Sequence, residues 1–239
     1  MFMNRGRALV NNSSGFMGGL YMIAEWGMKF SLTNLLWILF NFPIVLTLMI
    51  FLMMQQIQGG LLLIILLFFM LPLLFFPATT AMFAIVRDWI INDEDGHQLF
   101  KSYWRYYIEN YKRSVANGFV LTSVWLIMLG DIYYFIDKYM IVAVLFMVLA
   151  LILFVFTVNL FSVTVHYHMT FFKAMKSAFF TTIGSPVLFL AVAISCGTIV
   201  YMSLHVVRYL IPFLTFSFLA FLSFSAFYRN YLKINEKVS

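Results

Sequence analysis

Apolar residues fill long unbroken stretches of this chain, and polar and charged positions gather in short clusters between them. No Asp, Glu, Lys or Arg stands between Lys29 and Arg87, a gap of 57 residues. The intervals from Lys138 to Lys173 and from Arg208 to Arg229 are equally free of them. A helix needs about 20 apolar residues to cross the hydrocarbon core of a bilayer, so these runs predict membrane-spanning helices. Six spans account for them: residues 34–54, 59–76 (with an extension open to 86), 115–136, 139–165, 186–204 and 209–227. The predicted fold class is all-α, a polytopic integral membrane protein with about six transmembrane helices plus amphipathic interfacial helices. It forms one membrane domain over 1–239. Within it, 34–86 carries the first two spans, 115–165 the third and fourth, and 186–228 the fifth and sixth. The segments outside the bilayer core are 1–33, a cytoplasmic amphipathic loop at 87–114, an interfacial loop at 166–185 and a tail at 229–239.

Prolines interrupt several spans. Pro43 lies within the first, and Pro72 and Pro77 fall in or just beyond the second; an interior proline removes a backbone hydrogen bond and kinks the helix. The uncharged run 59–86 has 28 residues, about 42 Å at 1.5 Å per residue, against a core of roughly 30 Å. A bend near Pro77 is therefore predicted, after which "PATTAMFAIVRDW" leads to the cytoplasmic surface as a separate helix. Pro77 then occupies the first helical turn, where proline is tolerated. "GSP" at 184–186 separates an interfacial helix from the fifth span in the same way.

Composition agrees with this class. Hydrophobic residues make up 64% of the chain and charged residues 10%, against about 25% charged in soluble domains. The first apolar run begins near Asn34, behind a long polar and aromatic lead with no small-residue cleavage site, so no cleavable signal is predicted. Cys196 is the single cysteine, which excludes an intrachain disulfide and leaves the redox compartment open. The net charge of +6 reads as basic residues holding the cytoplasmic ends of helices, not as a nucleic-acid surface. Thirteen of the fifteen Lys and Arg fall on one side of the predicted topology, and Lys138 and Arg208 on the other. The positive-inside rule then places both termini and the 87–114 segment in the cytoplasm.

The most polar stretch is "NDEDGHQLFKSYWRYYIENYKRS", residues 92–114. On a helical wheel over 100–113, Phe100, Tyr103, Trp104, Tyr107, Ile108 and Tyr111 share one side. Lys101, Arg105, Glu109, Lys112 and Arg113 share the other, and Glu109 is placed to pair with Arg113 at i, i+4. The pattern predicts an amphipathic helix at the membrane surface, with rings at headgroup depth and basic groups toward water. "NDEDG" before it is a polar turn, with Asp95 or Gly96 near the helix start. The helix is either a connector held at the interface or a docking surface. Candidate contacts with a partner or the membrane surface are Lys101, Trp104, Arg105, Tyr107, Tyr111, Lys112 and Arg113. Asp93, Glu94, Asp95 and His97 lie close together but lack the ligand alternation, glycine and terminal glutamate of a calcium loop, and no zinc pattern is present. His166 and His168, at i, i+2, point apart on a helix and read as interface residues.

Ionisable groups inside spans are functional suspects, and here they are scarce. Asp131 stands near the outer end of the third span, with Arg208 or Lys138 as its expected partner. Asn41, Asn117 and Asn159 are candidates for hydrogen bonds between helices. No nucleophile elbow, zinc-protease helix, nucleotide loop or paired membrane aspartates occur. No catalytic residue, metal site or cofactor is predicted.

Three segments carry a family resemblance: "NLLWILFNFPIVLT" (34–47), "FPATTAMFAIVRDWI" (76–90) and "FKSYWRYYIENYKRSVANG" (100–118). In this order and spacing the chain resembles the YesL family of bacterial integral membrane proteins, most clearly over residues 20–120. The family supplies no catalytic or binding residues to carry over. The resemblance implies a multi-pass protein of the bacterial cell membrane. It also implies a non-enzymatic accessory role in ATP-driven oligosaccharide import or its regulation, with importer permease subunits as partners beside the lipid bilayer. Two other functions stay open. The chain is a permease in its own right, although "HYHMTFFKAMKSAFFTTIG" lacks the Glu-Ala-Ala coupling segment of ATP-driven permeases. Or it is an intramembrane enzyme acting on lipid-linked sugars, which requires convergent ionisable groups in one cavity.

Overall fold

The computed structural model describes residues 15–53, 57–92, 98–167, 169–206 and 211–238, and all regular structure among them is helical. In chain order the helices are α1 (Gly15–Phe40), α2 (Phe42–Met53), α3 (Ile57–Met70), α4 (Phe76–Ile91), α5 (Leu99–Phe135) and α6 (Met140–His166). They continue with α7 (Phe171–Gly184), α8 (Pro186–Tyr201) and α9 (Phe216–Val238). Among the described residues five helices are long and apolar enough to cross a membrane: Gly60–Ile91, Leu99–Phe135, Met140–His166, Pro186–His205 and Ile211–Glu236. The helices Met17–Phe40 and Phe42–Met53 meet the same measure only together, bent by 68°, and bring the number of spans to six when the bent pair counts as one. A large share of the outward surface is Leu, Ile, Val, Met and Phe, as lipid-facing helices require.

Each helix break has a local cause. At the α1–α2 bend Pro43 cannot donate a backbone bond. The Asn41 side chain donates through Nδ2 to the Trp37 carbonyl at 2.8 Å, and the Asn41 backbone carbonyl accepts from the Ile44 and Val45 amides. Pro72 is handled differently. Residues Leu71–Phe75 form one π-helical turn, in which the Phe76 amide donates to the Leu71 carbonyl. The wider turn absorbs the bond that proline cannot make, and the helix continues through it. Pro77 does occupy the first turn of α4.

The expected bend near Pro77 and the surface placement of "PATTAMFAIVRDW" are corrected here. Gly60–Ile91 is one helix of 32 residues, and α4 is its most buried part. Ala78, Ala81 and Ala84 are wholly buried, and these small side chains let α5, α6, α9 and α1 approach α4 closely. "PATTAMFAIV" is thus the axis of the fold.

A second correction concerns 87–114. Residues 87–91 finish α4, and the predicted surface helix is not separate from the third span, because α5 runs unbroken for 37 residues. Tyr103, Tyr106, Asn110, Ser114, Asn117 and Leu121 are all buried at helical spacing, so one inward stripe passes straight through the expected boundary. The wheel also grouped faces that the structure divides. Tyr103 points inward, whereas Phe100, Trp104 and Ile108 are exposed. In a membrane protein the polar seam turns inward to find partners while apolar side chains face lipid. Likewise α1 crosses the expected 33/34 boundary, and α9 extends through the predicted tail. The break at Ser185 and the amphipathic α7 before it are as predicted. Ala174, Ala178 and Thr182 bury one face of α7, and Phe172, Phe179 and Phe180 lie exposed.

Gly118 marks a tight contact between α5 and the π-helical turn. A Cβ there meets the Pro72 Cα at 2.8 Å and the Phe76 ring at 3.0 Å, so α5 approaches the π turn through a missing side chain. Gly118→Val is expected to lower stability by about 1–3 kcal/mol through overpacking. Gly130→Ala, where an added Cβ meets nothing within 4 Å, should be neutral or stabilising by up to about 1 kcal/mol. Thermal unfolding of the two variants in one detergent checks the contrast; equal melting temperatures contradict it.

Candidate functional site: an aromatic-basic helix end and the charge beneath it

The seven candidate residues all lie on the first half of α5, and the structure sorts them into two groups. Lys101, Trp104, Arg105 and Lys112 are exposed, whereas Tyr107, Tyr111 and Arg113 are half-buried. The Trp104 and Tyr107 rings stack at 6.1 Å with 9° between their planes, and Tyr107 meets Tyr111 at 5.6 Å. Phe40, at the end of α1, packs on Trp104 at 5.8 Å and on Tyr107 at 4.8 Å. The aromatic residues are thus gathered into a ladder seated on the α1–α2 bend, while Lys101, Arg105 and Lys112 remain outside it. Among the described residues, no ion pair joins Glu109 to Arg113.

Beneath this ladder lies a charge cluster that sequence reasoning counted but did not single out. Asp88 is buried, 3% exposed, near the end of α4. Arg87 donates to its Oδ1 through Nε at 3.0 Å and Nη2 at 2.8 Å. Its Nη1 donates to the Val165 carbonyl at the end of α6, at 2.6 Å. The Tyr106 hydroxyl donates to Asp88 Oδ2 in a short bond. Arg105 Nη2 donates in turn to the Tyr106 oxygen at 2.9 Å, with the guanidinium 4.8 Å from the ring centre. A buried carboxylate is costly unless paired and hydrogen-bonded, and here both oxygens are satisfied. Chemically the cluster is a brace tying the ends of α4, α5 and α6; Arg105 connects it to the surface. The signal for it was available: Arg87 and Asp88 are adjacent charges that close a 57-residue uncharged run.

The remaining polar candidates have modest roles. His166 ends α6 inside a ring of aromatic side chains, with Tyr167 at 4.6 Å and Tyr231 at 4.5 Å between centroids. Burial and the neighbouring Tyr231 phenol push the Tyr167 hydroxyl above the ordinary tyrosine range, so it stays a neutral donor. His168, Arg208 and the Asp93, Glu94, Asp95, Gly96 and His97 group lie outside the described residues. Among the described residues no group of His, Cys, Asp or Glu is arranged to hold a metal. Lys138 sits with Nζ 3.7 Å from the Tyr134 ring centre, not paired with Asp131. Asn117 and Asn159 do bond between helices, to Thr164 at 3.4 Å and Thr182 at 3.0 Å, while Asn41 serves its own break.

Residues 30–132 match the family described as "Protein of unknown function, DUF624". YteU of Bacillus subtilis (strain 168), described as an uncharacterized protein, is 30% identical over 118 residues, which are 49% of this chain and 41% of that protein. The chain therefore covers less than half the length of this relative. No solved structure matches the chain. The resemblance to the YesL family lies within this segment, which contains α2, α3, α4 and nearly all of α5, and with them the aromatic ladder and the Arg87, Asp88, Arg105 and Tyr106 side chains of the brace, but not its anchor at Val165.

Proposed function

We propose that this multi-pass protein with a DUF624 segment is a non-enzymatic accessory subunit of the bacterial cell membrane. It docks the permease of an ATP-driven oligosaccharide importer through the outer face of the first half of α5, on the cytoplasmic side. One observation carries the docking surface. With 37 residues, α5 is about 55 Å long, well beyond a core of roughly 30 Å, so its basic first third has room to stand outside the hydrocarbon. That third presents Lys101, Trp104 and Arg105, with Lys112 just beyond it, and aromatic and arginine side chains are enriched at interfaces. The buried brace holds the helix end rigid, which limits the entropy lost on docking. The importer as partner and the non-enzymatic role both rest on the family resemblance.

The structure also refines which substitutions test docking. Arg105 supports Tyr106 and thereby Asp88, so its reversal disturbs the brace as well as the surface. Lys101 and Lys112 are exposed and make no such contact. Lys101→Glu with Lys112→Glu is expected to weaken capture of the permease about tenfold or more, since like-charge juxtaposition costs several kcal/mol. Affinity purification in mild detergent from cells expressing the importer reads this out, with monodispersity as the folding control. Recovery of the unmodified protein alone, or equal recovery of permease by the double variant, counts against the proposal.

A further inference from the structure

A groove of about 750 Å³ lies between α7 and the second half of α9, within the size range of ligand sites. Lys173, Lys176, Ser177, Phe180, Thr181 and Gly184 form its α7 wall, a single stripe at helical spacing. Asn230, Lys233 and Ile234 form the facing wall on α9. The Ser185 hydroxyl, at the corner between α7 and α8, donates to Asn230 Oδ1 at 2.9 Å and ties α9 to that corner. The groove lies at the end of the bundle that carries the brace. There α7 follows the end of α6, where Arg87 bonds the Val165 carbonyl and His166 meets Tyr231 of α9 at 4.5 Å.

Two features narrow the occupant. The first is charge. Lys173, Lys176 and Lys233 are exposed and line the groove, and no Asp or Glu lines it. Glu236, one turn beyond Lys233 on α9, is not part of its wall. Among the described residues none of the three lysines has an ion-pair partner. The positive-inside rule accounts for lysines at one end of a bundle, but not for three of them around one groove without an acid. The end of α7 and the start of α8 meet at the same corner, so their dipoles offset and the field in the groove comes from the lysines. It selects an anion.

The second feature is depth. With 14 residues, α7 is about 21 Å long, too short for a core of roughly 30 Å. Its exposed Phe172, Phe179 and Phe180 seat it at the boundary between lipid and water. Phe180, Met169 and Ile234 also line the groove, so apolar surface continues from the lysines toward lipid. An anion that carries acyl chains meets both features, whereas a free phosphate or an acidic peptide meets only the first.

We infer that this groove binds the headgroup of an anionic phospholipid, with the phosphate among Lys173, Lys176 and Lys233 and the chains passing Phe180 into the bilayer. Asn230 Nδ2 has no hydrogen-bond partner among the described residues and is a further donor for headgroup oxygens. This site is separate from the α5 surface proposed to dock a partner, and the two stand or fall independently.

Native mass spectrometry of the detergent-solubilised full chain tests the assignment, with dioleoyl phosphatidylglycerol and dioleoyl phosphatidylcholine as probes. The two lipids share their chains and differ in headgroup charge. Phosphatidylglycerol should form a saturable first adduct at lower concentration than phosphatidylcholine. Each lysine is worth about a fivefold change in affinity, so Lys173→Gln/Lys233→Gln should weaken that adduct about tenfold or more. Arg229 is exposed on the same helix but does not line the groove, so Arg229→Gln should weaken it far less than Lys233→Gln alone. Glycerol phosphate, which has the charge without the chains, should displace the lipid only at much higher concentration. Equal binding of the two lipids, an unchanged adduct in the double variant, or equal losses in Arg229→Gln and Lys233→Gln overturns the assignment. Displacement by equimolar glycerol phosphate also overturns it, in favour of a free phosphate ligand. Circular dichroism melting of each variant confirms that a lost adduct comes from a folded protein.

Discussion

Asp88→Leu is expected to destabilise the protein by about 3–5 kcal/mol, the usual consequence of removing one member of a buried ion pair. Arg87 keeps its bond to the Val165 carbonyl but loses the carboxylate that received its Nε and Nη2. Its side chain is only 19% exposed, so water replaces the lost partner poorly. Tyr106 loses its acceptor at the same time, and Arg105 its indirect anchor. The double substitution Arg87→Met/Asp88→Leu removes both charges and should cost far less than the sum of the two single changes, because no unpaired charge remains buried. Unfolding in mixed micelles, arranged as a double-mutant cycle, gives the coupling directly. Additive losses would show that Arg87 and Asp88 do not act as a unit. Tyr106→Phe serves as the graded member, expected to cost about 1.5–3 kcal/mol for a hydrogen bond to a charged group.

The other large effect is expected at Asn34, which is fully buried and satisfies four backbone groups of a distant segment. Its Nδ2 donates to the Ile211 and Pro212 carbonyls at 3.0 and 2.7 Å. Its Oδ1 accepts from the Phe216 and Ser217 amides at 3.0 and 3.1 Å. Residues Ile211–Thr215 form a π-helical turn that carries Pro212, so backbone groups there lack regular helical partners. In lipid no water supplies them. Asn34→Leu should cost about 3 kcal/mol or more, since each buried group left unsatisfied costs about 1–3 kcal/mol. The single cysteine gives a readout of this particular region. Cys196 is 1% exposed and lies on α8, with Sγ 3.4 Å from the Ser223 hydroxyl of α9. Loosening the start of α9 uncovers it. A change of 3 kcal/mol raises the open population about a hundredfold, and maleimide labelling of Asn34→Leu should accelerate accordingly. Unchanged labelling would mean that the turn at Ile211–Thr215 holds without Asn34.

These two residues show where sequence reasoning stops. The fourth span, predicted at 139–165, is Met140–His166; the fifth, from 186, begins at Pro186; and α7 ends beside "GSP" as expected. Such features depend on whether a stretch prefers lipid or water, which is a local property. The clustering of basic and aromatic types within 14 residues was equally legible, and it is what makes them candidates for docking. Faces were not. The wheel over 100–113 assigned Tyr103 to the same side as Phe100 and Trp104, since all three are aromatic, yet only Tyr103 reaches the Ala78 carbonyl, at 2.7 Å. Nor was Asn34 legible as a clamp, because its partners lie about 180 residues away.

The sequence by itself determined that the chain spans a bilayer several times, roughly where each span lies, and where prolines and Gly-Ser-Pro interrupt them. Transfer free energy between water and hydrocarbon acts residue by residue and needs no knowledge of neighbours. Only the tertiary structure decided that α4 is the buried axis, that α5 continues from its basic end into the membrane without a break, and that Asp88 and Asn34 are internal ties. In hydrocarbon, burying apolar surface gives little preference for one helix face over another. The choice falls to small-residue contacts, such as Gly118 against Pro72, and to hydrogen bonds such as Asn34 to Ile211, whose partners meet only once the helices have packed.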